Sequence, residues 1–179
     1  LLRSIAPKPF VPSQQLRNPD ARILLGDVQQ SSALLEPHAI CRLGVVSGDG
    51  PRWIRKFWEF PTVANGWRCL QSAPGRTSEY AGLQDVIDWR ASGDGMLRPG
   101  ADNAAFGRLG VAVGQMSTLP TALYTGDLYD NNVAAIVPND PTLVPALWAY
   151  CSSDEYAGAV RAIDKSLKVV NASFLAVPF

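Results

Sequence analysis

Gly110-Val-Ala-Val-Gly-Gln-Met, Leu123-Tyr-Thr-Gly-Asp-Leu-Tyr-Asp-Asn-Asn-Val-Ala-Ala-Ile-Val-Pro and Ile163-Asp-Lys-Ser-Leu-Lys-Val-Val-Asn-Ala-Ser-Phe-Leu-Ala-Val-Pro-Phe decide how this chain folds. The first two stretches hold short apolar runs broken by turn residues, the signature of buried strands. Strands are expected over residues 109–113, 122–124 and 132–137, with turns at Gly126-Asp127 and Asp130-Asn131-Asn132. A final strand is expected over 169–177. Between the last two lies helical sequence. Asp140-Pro141 supplies an N-cap followed by a proline suited to the first helical position. Pro145 falls inside the pattern and should delay the regular helix. Leu143, Leu147 and Tyr150 then recur at helical spacing. Ser152-Ser-Asp-Glu155 matches a capping box and opens a second helix running to about Ile163, with Val160 and Ile163 on its buried side.

Upstream, the pattern is looser. Four prolines in residues 1–20 (Pro7, Pro9, Pro12 and Pro19) mark residues 1–30 as an extended lead-in or linker. Residues 31–36 can form a helical turn stopped by Pro37. A first strand is expected over 39–46, a turn at Ser47-Gly-Asp-Gly-Pro51 and a strand over 52–60 that mixes basic and aromatic residues. Residues 61–108 show no clean period and read as loops with one or two short strands or helices. Strands with a late helix pair predict an α+β fold: a mixed, mostly antiparallel twisted sheet with a few flanking helices. The helices cluster instead of alternating with strands, so a doubly wound nucleotide-binding fold is not expected.

At 179 residues the chain suits one domain with a loose lead-in. A core of that size needs no disulfide or metal. The odd, widely spaced cysteines Cys41, Cys69 and Cys151 suit a reducing cytoplasm. No apolar run approaches the roughly 20 residues that span a membrane, and the start lacks the apolar core of a signal peptide. With Leu1 in place of methionine, the chain reads as a piece of a longer protein. Net charge is zero, which weighs against a nucleic-acid binder. Its distribution softens that objection: residues 41–108 hold nine Lys/Arg against seven Asp/Glu, and residues 109–179 hold three against six.

Catalytic patterns are sparse. There is no Walker phosphate loop, and Gly107-Arg-Leu-Gly-Val-Ala-Val-Gly114 lacks the spacing of a dinucleotide site. His38, the sole histidine, could start a zinc site with Cys41, but no second ligand pair follows. Asp127 and Asp130 could serve as an acid/base pair or bind a metal, although such residues more often bond turn backbone. The strongest electrostatic candidates are Arg52, Arg55 and Lys56, interleaved with Trp53, Phe57 and Trp58. Such cations contact phosphates or guanine edges. On a strand, Arg52 and Lys56 would point one way and Arg55 the other.

Taken in order, three segments resemble the target recognition region of class I N6-adenine DNA methyltransferases of restriction-modification and phage-defence systems such as BREX and DISARM. They are Arg42-Leu-Gly-Val-Val-Ser-Gly-Asp-Gly-Pro-Arg-Trp-Ile-Arg-Lys-Phe-Trp-Glu, then the Gly110 and Leu123 segments, then the helix from Asp140 with Leu167-Lys-Val-Val-Asn-Ala and Val177-Pro-Phe. The likeness covers about residues 31–179 and is poorest over 61–108, where loops that read different DNA sequences differ. It implies a target recognition domain, residues 31–179, that binds double-stranded DNA. Catalysis and S-adenosylmethionine would belong to a methyltransferase domain in the parent chain or in a separate subunit. The Asn/Asp-Pro-Pro-Tyr/Phe motif and glycine-rich cofactor loop of that domain have no counterpart here, so no cofactor, metal or catalytic residue is expected in this chain. The DNA contacts expected are Arg52, Arg55 and Lys56, then Arg76, Arg90 and Arg108 in the variable stretch. Two other readings stay open: a protein-interaction module docking on a methyltransferase or restriction subunit, and a small hydrolase using His38.

Overall fold

The computed structural model describes residues 33–63 and 65–179. These belong to one unit, residues 32–179; the expected lead-in and its boundary lie outside the described residues. The fold is α+β, but the single expected sheet is divided into two four-stranded sheets.

The first sheet holds β1 (Ala39–Leu43), β5 (Gly110–Gly114), β6 (Thr121–Tyr124) and β8 (Val133–Pro138). Its order is β1-β8-β5-β6, every neighbour antiparallel. Every residue of β5 and β8 is buried, which explains why both read as continuous apolar runs. On one face Val111, Val113, Ala134 and Ile136 meet Leu147, Tyr156, Val160 and Phe174 from the C-terminal elements. On the other, Ala112 lies opposite both Ala122 and Ala135. These small residues share a core with the rings of Tyr124 and Tyr129, set edge-on at 5.2 Å.

The second sheet is β2 (Ile54–Lys56), β4 (Asp85–Asp88), β3 (Trp67–Gln71) and β7 (Leu128–Tyr129), in that order. Only the β3–β7 pair is parallel. The two sheets are stitched where β1 runs on past Leu43. Val45 N donates to Tyr129 O at 2.7 Å, and within the second sheet Asp130 N, just past β7, donates to Gln71 O of β3 at 3.1 Å.

The late helices form largely as their caps predict. Asp140 accepts from Thr142 N at 2.9 Å, but residues Pro141–Leu143 make only a 3-10 turn. The regular helix α2 (Val144–Cys151) starts with Pro145 in its first turn, where a missing N–H costs nothing. Helix α3 (Asp154–Ile163) is capped by Ser153, whose Oγ accepts from Tyr156 N at 3.2 Å. The capping box expected from Ser152 is therefore off by one residue. Ser152 closes α2 instead, its Oγ donating to Trp148 O at 2.7 Å.

Three expectations fail for local reasons. The turn expected over 31–36 is a 3-10 turn at Glu36–His38, with Pro37 inside it; residues 31 and 32 lie outside the described residues. The strand expected over 52–60 is split into α1 (Gly50–Trp53), β2 and a 3-10 turn, Phe57–Glu59. Asp49 caps α1 by accepting from Arg52 N at 3.2 Å, and Glu59 turns back to accept from Lys56 N at 2.7 Å. The final strand expected over 169–177 is largely a 3-10 turn, Asn171–Phe174. The Asp164 carboxylate curls this segment by accepting from Val170 N at 3.0 Å and Ser173 Oγ at 3.1 Å. Backbone pairing remains at its two ends, where Val169 N donates to Gln115 O and Leu35 N donates to Val177 O, each at 2.9 Å.

Candidate nucleic-acid interface

The cap on Asp49 and the proline at position 51 set α1 directly before β2, which places Arg52 and Trp53 at one end of the second sheet. The antiparallel β2–β4 register brings Ile54 opposite Ile87, so the chain leaving β4 at Asp88 passes beside α1. Arg52, Trp53, Asp88, Arg90 and Ala91 then line one open cleft of about 550 Å3. Arg52 stacks its guanidinium over the Trp53 ring, 4.6 Å from the centroid, a cation–π contact.

Arg90 is held more tightly. Its Nε donates to Asp88 Oδ1 at 2.9 Å and its Nη2 to Asp88 Oδ2 at 2.5 Å. The hydrogen bonds from Arg90 hold the Asp88 carboxyl below the usual carboxylate range. Gly66, in the turn before β3, accepts the Arg90 stem: a Cβ there would lie 2.2 Å from Arg90 Cγ, and Gly66 has a left-handed φ of +90°. Arg90 still exposes 67% of its side chain, against 14% for Asp88.

Arg55 and Lys56 follow on edge strand β2, on opposite faces and outside the cleft lining. Arg52, in a helical turn, does not share the strand face expected for it with Lys56. Arg55 is partly committed to its own strand, since Nη1 donates to Ile54 O at 2.8 Å and to Pro51 O. Lys56 pairs with Asp85 at 2.6 Å and lies 5.8 Å from the Trp58 ring centroid. Phe57 and Trp58 pack edge-on at 5.2 Å and remain 49% and 58% exposed.

Arg76 and Arg108 are elsewhere. Arg76 is exposed on the β3–β4 connection beside Thr77, whose Oγ1 accepts from Thr121 N at 3.2 Å. Arg108 is an anchor: its Nη2 donates to Pro138 O at 2.7 Å. Thr121 and Tyr124 are the two ends of β6, so these arginines lie at opposite ends of the β5–β6 pair. The six cations therefore do not form one patch. Sequence reading missed Trp53 as the platform for Arg52 and Asp88 as the clamp on Arg90; the Asp88-Trp-Arg90 spacing was the available signal. It also passed over Arg42, Arg68 and Arg98, which are exposed.

The carboxylates near the turn do structural work. Asp127 accepts from Thr125 Oγ1 at 2.8 Å, and Asp130 accepts from Asn132 N at 2.6 Å. Burial raises the Asp130 carboxyl above its ordinary range. It lines a cavity of about 150 Å3 with Val45, Ser47, Leu70 and neighbouring side chains. His38 packs its ring 6.2 Å from that of Phe179, and burial pushes the Cys41 thiol up to about 12. Among the described residues, no group of three or more His, Cys, Asp or Glu is placed to hold a metal, and no helix is long and apolar enough to cross a membrane.

The glycine-spaced segment ends in the fully buried β5, and Gly110 faces the neighbouring strand: a Cβ there would meet Ile136 O at 2.2 Å. Gly110 thus serves close strand packing. No protein-family model matches the chain, and no curated protein matches it either.

Proposed function

We propose that this chain is a DNA target recognition domain that serves an N6-adenine DNA methyltransferase, with methylation carried out by a domain outside it, in the parent chain or a separate subunit. S-adenosylmethionine would bind there. The observation that carries the proposal is the convergence of Arg52 and Arg90, from separate segments, on one open cleft at the end of the second sheet. Guanidinium groups held on rigid elements suit phosphate and base-edge contacts, while the buried first sheet supplies the scaffold. The ordered likeness of three segments to such domains adds to this. The reading implies cytoplasmic function in a restriction-modification or phage-defence system.

Binding to labelled duplex DNA tests it. Each neutralised phosphate contributes a slope of about −0.9 in log affinity against log salt. Two contacts predict an affinity loss of about tenfold for a fourfold rise in salt. Affinity that stays flat over that rise counts decisively against the proposal.

A second reading has one observation in its favour. Lys56, next to the exposed Phe57–Trp58 pair, is paired with Asp85, and Arg90 is paired with Asp88. A neutral, aromatic surface is also what a protein partner buries. Capture of a methyltransferase or restriction subunit without any shift of duplex DNA selects this alternative.

A further inference from the structure

We infer that Arg90 reads a guanine base in the major groove, and so is a specificity-determining residue of the cleft; this rests on the DNA-reading proposal above. Arginine carries five N–H donors. Asp88 engages the Nε side and one Nη2 donor, at 2.9 and 2.5 Å. The opposite edge, formed by Nη1 and the second Nη2 hydrogen, is left free, and 67% of the side chain is exposed. Two parallel donors need two adjacent acceptors. In the major groove only guanine offers them, as O6 and N7. Adenine places an N6 donor beside its N7, cytosine presents an N4 donor, and thymine has a single O4 acceptor next to a methyl group.

Rigidity separates this role from a phosphate contact. The Arg90 stem rests on Gly66, where a Cβ would come 2.2 Å from Arg90 Cγ. Its clamp, Asp88, is the last residue of β4 and pairs with Trp67 of β3. A guanidinium fixed by both stem and clamp loses little further freedom on binding. Arg52, resting only on the Trp53 ring, has no such clamp and supplies general attraction to the backbone.

The test is selection from a pool of duplexes with a randomised core, using the whole chain and its Arg90→Lys and Asp88→Asn variants. Wild type should enrich a guanine at one position. Replacing that guanine by adenine, or by 7-deazaguanine, should weaken wild-type binding by about tenfold or more. In Arg90→Lys this penalty should shrink to within about threefold, while affinity for unselected DNA stays nearly constant. Asp88→Asn, which swaps one acceptor for a donor, should reduce the guanine preference without changing the salt slope. Thermal unfolding confirms that the variants are folded. A guanine preference untouched by either variant overturns the inference and leaves the DNA-reading proposal standing. So does a uniform loss across all sequences, which marks a phosphate contact. Failure of the wild type to bind any duplex removes both.

Discussion

Tyr129→Phe tests how the two sheets are joined. The ring is fully buried, and its hydroxyl donates to Arg42 O at 3.0 Å on β1 while accepting from Asn103 Nδ2 at 3.0 Å. Asn103 also donates to Leu43 O at 2.9 Å and accepts from Ala105 N at 3.0 Å. One hydroxyl thus ties an edge strand of the first sheet, the end of the second, and the loop before β5. The substitution removes no apolar surface, so its cost is polar: the Arg42 carbonyl loses a donor and Asn103 loses an acceptor in a buried setting. Such losses cost about 1–3 kcal/mol. Asn103 keeps its bond to Leu43, so the low half of that range, about 1–2 kcal/mol, is expected. For a chain of this size that lowers Tm by roughly 3–6 °C. Urea unfolding should show a reduced midpoint with unchanged slope. Combining it with Asn103→Ala should give a coupling of at least about 0.5 kcal/mol, because the two groups share one bond. A Tyr129→Phe variant as stable as wild type, or strictly additive effects, refutes the junction described here.

Three further outcomes follow from the same geometry. Gly110→Ala should destabilise the fold by more than about 3 kcal/mol, since the new methyl meets the backbone oxygen of Ile136 at 2.2 Å and backbone cannot swing aside; chemical denaturation measures it. Stability should fall as pH rises above about 9. Burial raises Cys41 to about 12 and also lifts Cys151, Tyr129 and Tyr156, so the unfolded chain, with thiols near ~8.5 and phenols near ~10, releases protons first. Unfolding followed across alkaline pH, with Cys41→Val flattening the first part of the decline, checks the sign. Burial tends to raise Asp164, but hydrogen bonds from Ser166, Val170 and Ser173 prevail and bring it down to about 2. Its contribution should be complete above about pH 4 and vanish as pH falls through about 2. The Tm gap between wild type and Asp164→Asn should therefore close over that window, while a constant gap contradicts the role given to this carboxylate.

Legibility in the sequence varied with the range of the signal. The buried strands 110–114 and 133–138 announced themselves as apolar runs, and the delayed helix followed from Pro145. The short β7 was missed, because two residues carry no period. The strand expected over 52–60 was misread because Asp49 and Glu59 bond to main-chain N–H groups three residues away, which alternation does not register. Of the candidate contacts, Arg52 and Arg90 share a cleft, Arg55 and Lys56 lie on the neighbouring strand outside its lining, and Arg76 and Arg108 stand apart.

From its own sequence this chain specified an α+β fold, the strands that form its centre, and a late pair of helices, since apolar runs and caps act within a few residues. Only the tertiary structure decided that the strands divide into two sheets, that the segment after Asp164 curls, and that Arg52 and Arg90 line one cleft. Those outcomes depend on strand register and on a carboxylate that reaches across a turn. The energies that select them arise between residues far apart in the chain, and no local pattern records which partner each will find.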